Sequence, residues 1–315
     1  MKKLIVLLLA FAMVGAVSAQ VTTAVSLSGQ VDLVKQDGQG QFVQWGSGYD
    51  LLTFKATEKD GKYGISATLD KFLDADALPV SFRDWNFMAK GKMTKVFVGK
   101  LRNADFRTTL PYWASYDVFG GTDRITGYGL MVETLPMNGL TLGVNLPYGL
   151  TAANTVDVLQ NADIGAKYAI KDVGTFAALV NLDLVAPAAN VVNLGFTFTG
   201  VKSLTAVAIG QLQLDANTYK AALGVAYTGV DKLTVNVEGA FVSTAGVATY
   251  SVWGQGAYDV TDKLSATAGA FYGSAGYDVY ANVDYAYGNG LTSEVLVGFD
   301  AAFRAALTLY YTVSF

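Results

Sequence analysis

Histidine and cysteine are both absent from this 315-residue chain, and proline occurs only 5 times. Without an imidazole the chain cannot form a serine–histidine triad, a histidine general base or the usual zinc and iron ligand sets. Without cysteine it has neither a disulfide framework nor a thiolate metal site. Charged residues are scarce at 15%, and the 52% of apolar residues excludes a disordered chain. The sequence therefore predicts an ordered protein that needs no metal or cofactor, and any enzyme would have to work with carboxylates alone.

The amino terminus has the pattern of a secretory signal peptide. Lys2 and Lys3 precede an apolar run over residues 4–14, and Val17 and Ala19 are the small residues that a signal peptidase reads. We predict a signal peptide over residues 1–19 and a mature chain over residues 20–315. Cleavage would leave 20 basic against 26 acidic side chains, a formal charge of −6, which disfavours nucleic acid as a partner.

Long apolar runs are missing from the mature chain, where polar residues or glycine interrupt every stretch of 18 residues. A membrane-spanning helix is therefore not predicted. The dominant pattern is strict alternation, as in residues 219–228 and 233–242, where apolar side chains occupy one parity and small or polar ones the other. This period of two is typical of β-strands with one apolar and one polar face.

Turn signals recur at regular intervals between these strands. Asn138-Gly139, Asp231-Lys232, Asp262-Lys263 and Asn289-Gly290 each precede a leucine followed by a hydroxyl residue. The leucines at 204, 233, 264 and 291 lie 29, 31 and 27 residues apart, which is the length of one hairpin with its loop. The pattern predicts an all-β meander that closes into an antiparallel transmembrane β-barrel of about 18 strands, with 16 as the alternative.

Aromatic spacing favours a membrane barrel over a soluble β-sandwich. Tyr219 and Tyr227, and likewise Tyr277 and Tyr287, occupy opposite ends of one apolar face, 8 and 10 residues apart. These separations correspond to about 21–26 Å along a tilted strand, close to the height of the apolar band between aromatic girdles. A sandwich core has no reason to place tyrosines in two belts.

The opposite face carries too many charges for a dry core, because each buried ion costs several kcal/mol of desolvation. We therefore expect a wet lumen. The candidate lumen-wall residues are Lys55, Lys167, Lys220, Glu238, Asp284 and Glu294.

Two segments resemble Gram-negative outer-membrane porins of the general diffusion type. Residues 307–315 end in Phe315 with apolar residues at alternate positions, similar to the closing strand of that class, and residues 96–101 resemble the strand that enters the constriction loop. The resemblance implies an outer-membrane protein that arrives through the periplasm, contacts outer-membrane lipid and presents its carboxyl terminus to the barrel-assembly machinery. It also allows a homotrimer.

The resemblance further implies that the loop over residues 102–123 folds into the barrel and narrows it. Opposed charges there would create a transverse field that filters solutes by size and charge. The alternative is an external loop with surface charges, since residues 111–116 are apolar and could pack on the wall. No ladder of arginines like that of general porins is evident on the wall, which argues against a strong field. The implied constriction residues are Arg102, Asp105, Arg107, Asp117, Asp123, Arg124 and Glu133.

The sequence thus predicts a water-filled channel for passive diffusion of small hydrophilic solutes and ions. Inward acids outnumber inward bases, so we expect a mild preference for cations that weakens at high salt. The alternative is a plugged barrel that acts as a structural or adhesive surface protein. Its loops after the first three hairpins are short for a large binding head, which favours the channel.

Overall fold

A computed structural model describes residues 21–36, 42–43, 46–70, 81–110, 124–150, 156–158, 161–183, 190–214 and 217–314. Regular structure within these ranges consists of β-strands. They contain no helix of the length and apolarity needed to cross a bilayer. The predicted signal peptide over residues 1–19 and the carboxyl-terminal Phe315 lie outside the described residues.

The described residues form twenty strands in one continuous antiparallel arrangement. They are β1 (Val21–Gln36), β2 (Phe42–Val43), β3 (Gly46–Glu58), β4 (Tyr63–Asp70), β5 (Ser81–Lys90), β6 (Thr94–Asn103), β7 (Ile125–Met137), β8 (Leu140–Leu150), β9 (Val156–Val158), β10 (Asn161–Ile170), β11 (Gly174–Asp183), β12 (Val191–Val201), β13 (Leu204–Gln213), β14 (Thr218–Val230), β15 (Leu233–Thr244), β16 (Val247–Asp259), β17 (Leu264–Gly273), β18 (Gly276–Gly288), β19 (Leu291–Phe299) and β20 (Phe303–Ser314).

Eighteen of these strands make a closed wall. The two- and three-residue strands β2 and β9 extend the hairpins of β1 and β8 and are not wall strands. Every other strand pairs with its neighbours in chain order, and β20 returns to β1 with Ser26 opposite Ser314 and Gln30 opposite Tyr310. The predicted all-β fold and the count of 18 are confirmed. Closure matters physically because it leaves no open sheet edge along the wall for lipid to meet.

Short turns lie at one end of the barrel, which we call the turn end. Seven of its connections span residues 59–62, 91–93, 138–139, 171–173, 202–203, 231–232 and 260–263, and the last is Asn289-Gly290. Lys232, Asn289 and Gly290 all have positive φ, of 59°, 53° and 78°. A β-carbon on Gly290 would also clash with the Thr312 carbonyl, so this turn needs glycine. The other end, with longer connections in its first half, is the loop end.

On β14 and β18 the outer face is apolar and exposed, as the alternation predicts. Leu223 on β14 is 66% exposed, and the girdle tyrosines Tyr219, Tyr227, Tyr277 and Tyr287 are 44–55% exposed. The opposite parity of β14 and β15 is turned into the barrel, where Ala222, Glu238 and Ala240 are buried. Trp253, whose face the alternation left ambiguous, also points inward because it pairs directly with Glu238.

Candidate pore constriction

The end of the β6–β7 hairpin leaves the barrel wall. β6 pairs with β5 as far as Lys100 opposite Trp85, although β5 continues to Ser81. On the other side, β7 begins to pair with β8 at Gly129 opposite Pro147. Between these points residues 101–103 pair with residues 125–127, and no described residue of β5 or β8 pairs with them. We call residues 101–103 of β6 and 125–128 of β7 the hairpin tip.

The hairpin tip folds inward over its own strands. Asn103 pairs with Ile125, and Glu133 lies eight residues further along β7. A straight strand would separate these two levels by about 27 Å. Instead, the Asn103 side-chain amide donates to Glu133 Oε1 at 3.2 Å. Gly99 and Gly127, with φ of 148° and 99°, supply backbone geometry that a non-glycine residue rarely adopts at the bend.

This folding changes which residues face the lumen. Leu101 and Ile125, on the inward parity, become buried against Met131 of β7 and Leu179 of β11. Arg102 and its partner Thr126, on the parity that faces lipid elsewhere, become the exposed face of the tip. A strand folded back on its inner face presents its outer face to the interior, so Arg102 reaches the lumen.

Four polar residues fasten the tip to the wall. Glu133 is fully buried and accepts a hydrogen bond from Lys95 Nζ at 3.3 Å as well as from Asn103. The Asn103 amide also lies 3.3 Å from Asp105 Oδ2, and the Asp105 backbone donates to Asn103 Oδ1 at 2.7 Å. We call these residues the tip fastener.

The start of the following loop packs against glycines of the inner wall. We call Gly143, Gly165 and Gly195 the glycine seat. Phe106 is 3% exposed, and its ring covers Gly143 of β8 and Gly165 of β10, which are direct cross-strand partners. A β-carbon on either glycine would collide with the ring. Thr108 covers Gly195 of β12 in the same way. Because glycine has no side chain, these positions leave a groove on the inner wall, and the loop fills that groove.

Leu110 completes the seat. It is buried with Val207 of β13, Ala222 of β14 and Ala240 of β15. Residues 106–110 therefore run along the inner wall from β8 to β15. The remaining candidates on this loop, Asp117 and Asp123, lie outside the described residues.

Four arginines gather around the tip. Arg102 lies within electrostatic range of Arg83 of β5 and Arg107 of the loop, and of Asp70 and Asp84. Arg124 is buried, and burial together with repulsion from Arg107, Arg102 and Arg83 lowers its pKa to about 10. The side chain still carries its charge at neutral pH. Three members were sequence candidates, whereas Arg83 was missed because it sits at an irregularity in the β4–β5 register.

Acidic side chains lie elsewhere on the ring. Asp284 of β18 and Glu294 of β19 are direct cross-strand partners on the inner face. The Asn282 amide donates to Asp284 at 2.7 Å and to Glu294 at 3.4 Å, and the Tyr310 hydroxyl donates to Glu294 at 3.2 Å. β19 is six positions from β6 around the eighteen-strand ring. Asp284 and Glu294 thus lie about a third of the ring away from the arginines, which have Asp70 and Asp84 as their own acidic neighbours.

A row of side-chain hydrogen bonds crosses the wall on the loop side of the glycine seat. Five amides and one carboxylate take part, so each side chain in this row has at least one hydrogen-bond partner. The links are Asn145 to Asp163 at 2.8 Å, Asn181 to Asp163 at 2.7 Å, Asn193 to Asn181 at 3.4 Å, Gln211 to Asn193 at 2.7 Å and Gln213 to Gln211 at 3.1 Å.

The other predicted wall residues occupy inward register positions. Lys55 pairs with Ser66 and is exposed, Lys167 pairs with Thr141, and Lys220 pairs with Gln211. Glu238 is 1% exposed beside Trp253. Within the described ranges no three acidic side chains converge as a metal site would require.

Solved structures of outer-membrane proteins share this architecture. OpdK of Pseudomonas aeruginosa matches with a TM-score of 0.61 and 13% identity, covering 94% of this chain and 99% of that one. The chain has the porin fold. OccK11 of the same organism (TM-score 0.61, 12% identity, 93% and 96% coverage) and OccAB4 of Acinetobacter baumannii (0.60, 11%, 94% and 99%) match similarly. No protein-family model and no curated protein matches the sequence.

The porin fold and the apolar outer face together define the location. A closed barrel of 18 strands with an exposed apolar band and aromatic girdles is a protein of the bacterial outer membrane. Its surroundings are outer-membrane lipid.

Proposed function

We propose that this porin-fold protein is a channel for passive diffusion of small hydrophilic solutes and ions. The observation that carries the proposal is the inward hairpin tip with its exposed Arg102, which places charge inside a closed barrel whose outer face is apolar. A barrel of 16–18 strands is wide enough to hold water. The tip and the seated loop would then narrow this space and filter solutes by size and charge.

The finer expectation from the sequence is a mild preference for cations. It rests on the excess of inward acids, among them Asp284 and Glu294. Because exposed charges are screened, this preference should weaken as salt rises and the Debye length falls to about 3 Å at 1 M.

A channel that favours small organic anions is the second candidate. The arginine cluster supports it, because guanidinium groups bind carboxylates in bidentate geometry. Two inward acids also have basic partners, Glu133 with Lys95 and Asp278 with Arg304. The structurally similar OpdK has been solved with vanillate, an aromatic carboxylate.

Planar-bilayer recording of the refolded mature chain tests the proposal. Stepwise conductance is the expected result, whereas a plugged barrel would give no steps. The sign of the reversal potential across a KCl gradient separates the two candidates. The proposal includes no enzymatic role, because the fold is shared with channels and the chain has no histidine.

Changing Arg102 and Arg124 together to Gln should shift the reversal potential towards cations at low salt, because two positive charges leave the lumen. The shift should shrink at 1 M KCl, where screening is strongest. Lys263→Gln, on an exposed turn residue, is the matched control and should leave the reversal potential unchanged. An arginine variant with the selectivity of the unaltered protein would contradict an arginine-lined passage.

Recognition of Phe315 by the barrel-assembly machinery and assembly into a trimer also belong to this proposal. Their support is the alternating carboxyl-terminal strand, which closes the barrel against β1, and the apolar outer face. Truncation of Phe315 should reduce assembly in vivo while refolding into detergent continues.

A further inference from the structure

A cavity of about 310 Å³ opens on the inner wall at the loop end, between β15 and β18. Its lining is mostly apolar and includes Ala240 and Val242 of β15, Phe271 of β17 and Ala275 of the β17–β18 turn. Because Ala240 also belongs to the buried cluster around Leu110, the cavity adjoins the loop segment that is seated on the wall. Its volume is at the lower end of the roughly 300–1,000 Å³ of small-molecule sites, so a small solute group fits.

The cavity follows from a row of small residues on the inner face of three neighbouring strands. Ala240 pairs with Ser251, and Ser251 pairs with Gly273. One level closer to the turn end, the inward positions of β16 and β17 carry the large side chains of Trp253 and Phe271 instead. The change from large to small side chains leaves space above them, and the Phe271 ring forms one side of that space.

Polar groups in the lining are few. Thr249, Ser251 and Ser274 contribute hydroxyls, and none of the lining residues is ionised. The Ser274 hydroxyl accepts a hydrogen bond from the Tyr250 backbone amide at 2.9 Å and donates to the Tyr250 carbonyl at 3.4 Å, so it is already engaged. The cavity therefore suits an uncharged, apolar part of a solute.

An ion pair lies at the edge of the cavity. Asp278 of β18 is the direct cross-strand partner of Phe271, and its carboxylate accepts a hydrogen bond from the guanidinium group of Arg304 on β20. The β-carbons of direct partners lie roughly 4.5–5.5 Å apart, so the pair is close to the Phe271 ring. The Arg304 and Asp278 side chains are 32% and 23% exposed, and a solute in the lumen can reach both of them.

The pair also has unused hydrogen-bonding capacity. Its contact joins Arg304 Nη2 to Asp278 Oδ2. Asp278 Oδ1 and Arg304 Nε are buried and have no hydrogen-bond partner among the described residues. One acceptor and one donor thus remain for another group, which is unusual for buried polar atoms.

The pair determines which charged groups a solute can bring. A solute with only a carboxylate would compete with Asp278 for Arg304, and a solute with only an ammonium group would compete with Arg304 for Asp278. Either competition leaves one partly buried charge without its partner, which is costly. A zwitterion brings one charge of each sign, so its carboxylate can bind Arg304 and its ammonium group can bind Asp278 with no charge left over.

We infer that the cavity and the Asp278–Arg304 pair form a binding site for zwitterionic α-amino acids with an apolar side chain. The apolar side chain of the solute occupies the cavity against Phe271, and the two charged groups on its α-carbon bind the ion pair beside the cavity. The inference names a solute class for the proposed channel, and it rests on that function for transport but not for binding.

Calorimetric titration of the refolded mature chain in detergent tests the site with matched probes. L-Phenylalanine should bind saturably. Glycine lacks the apolar side chain, phenylpropionate lacks the ammonium group and phenethylamine lacks the carboxylate. Each of these three probes should therefore bind about tenfold more weakly or worse.

Substitutions in the site provide the second test. Ser251→Leu fills the cavity and should abolish binding of L-phenylalanine. Ala257→Leu is the matched control, because it adds bulk to the same inner face of β16 outside the cavity, and it should leave binding unchanged. Asp278→Asn and Arg304→Gln should each weaken binding about tenfold.

The inference is overturned if L-phenylalanine shows no saturable binding, or if any of the three other probes binds as tightly. Binding that survives in Ser251→Leu, or that is lost in Ala257→Leu, would overturn it too. Heat-modifiable migration on gels checks the folding of each variant, and the comparison of probes on the unaltered chain decides the matter if a variant does not fold. Binding in detergent without conductance steps in bilayers would contradict the proposed channel alone.

Discussion

Inward glycines decide where the loop can lie. At Gly143 and Gly165 the wall lacks side chains, and the Phe106 ring occupies that space. Glycine in a strand interior is otherwise unfavourable, since it costs backbone entropy and offers nothing to pack. The sequence predicts the surrounding strands and the charges, but a glycine on the polar parity looks like any small lumen residue until the side chain that packs on it is known.

Gly165→Ala should unseat Phe106 and increase single-channel conductance. The added methyl group would collide with the ring, and overpacking of this kind costs roughly 1–3 kcal/mol when the backbone must shift. Gly256→Ala is the matched control, because open space surrounds that position. If the two variants conduct alike, the ring does not hold the loop on the wall.

In the β6–β7 hairpin, residues of one parity face lipid along the strands and face the lumen at the tip. Val98 and Leu130 are exposed on the outer face, as the period of two predicts. A few residues later the hairpin bends, and the same parity brings Arg102 into the lumen. Departure of β6 also frees the edge of β5, where Lys100 Nζ donates to the Phe82 carbonyl at 2.6 Å. The Lys100 ammonium group thus donates to a carbonyl that would otherwise have paired with the backbone of β6.

Lys100→Met should destabilise the barrel towards denaturant by about 1 kcal/mol. A hydrogen bond from a charged donor is worth roughly 1.5–3 kcal/mol. Removing a lysine from near the membrane interface stabilises the barrel by roughly 0–1 kcal/mol. Loss of the hydrogen bond to the Phe82 carbonyl is therefore the larger effect. Equilibrium unfolding in urea measures the difference, with Lys171→Met in an exposed turn as control. Equal or greater stability in Lys100→Met would show that the Phe82 carbonyl needs no such donor.

The whole molecule is apolar outside and polar inside. Side chains such as Leu223, Tyr219 and Val295 expose half or more of their surface on the outer wall. At roughly 25 cal/mol for each Å² of apolar surface, exposing this band to water is unfavourable. Lipid removes that penalty, and closure of β1 on β20 satisfies the backbone within the band.

The mature chain, residues 20–315, should therefore fold in detergent or lipid and aggregate in plain buffer. Circular dichroism and analytical ultracentrifugation in the presence and absence of detergent check this expectation. A monodisperse, folded monomer in detergent-free buffer would contradict a membrane barrel.

The sequence by itself determined the strand period, the turns such as Asn289-Gly290, the number of strands and the closed, inside-out barrel. These features follow from local patterns: a period of two, turn chemistry, and a partner for every strand edge. The folded tip, the glycine seat, the hydrogen bonds of Glu133 with Lys95 and Asn103, and the grouping of Arg83 with Arg124 were decided by the tertiary structure alone. Each of these features brings together residues from different strands or from distant levels of one hairpin. Alternation along a single strand carries no information about how that strand bends or what lies across the lumen.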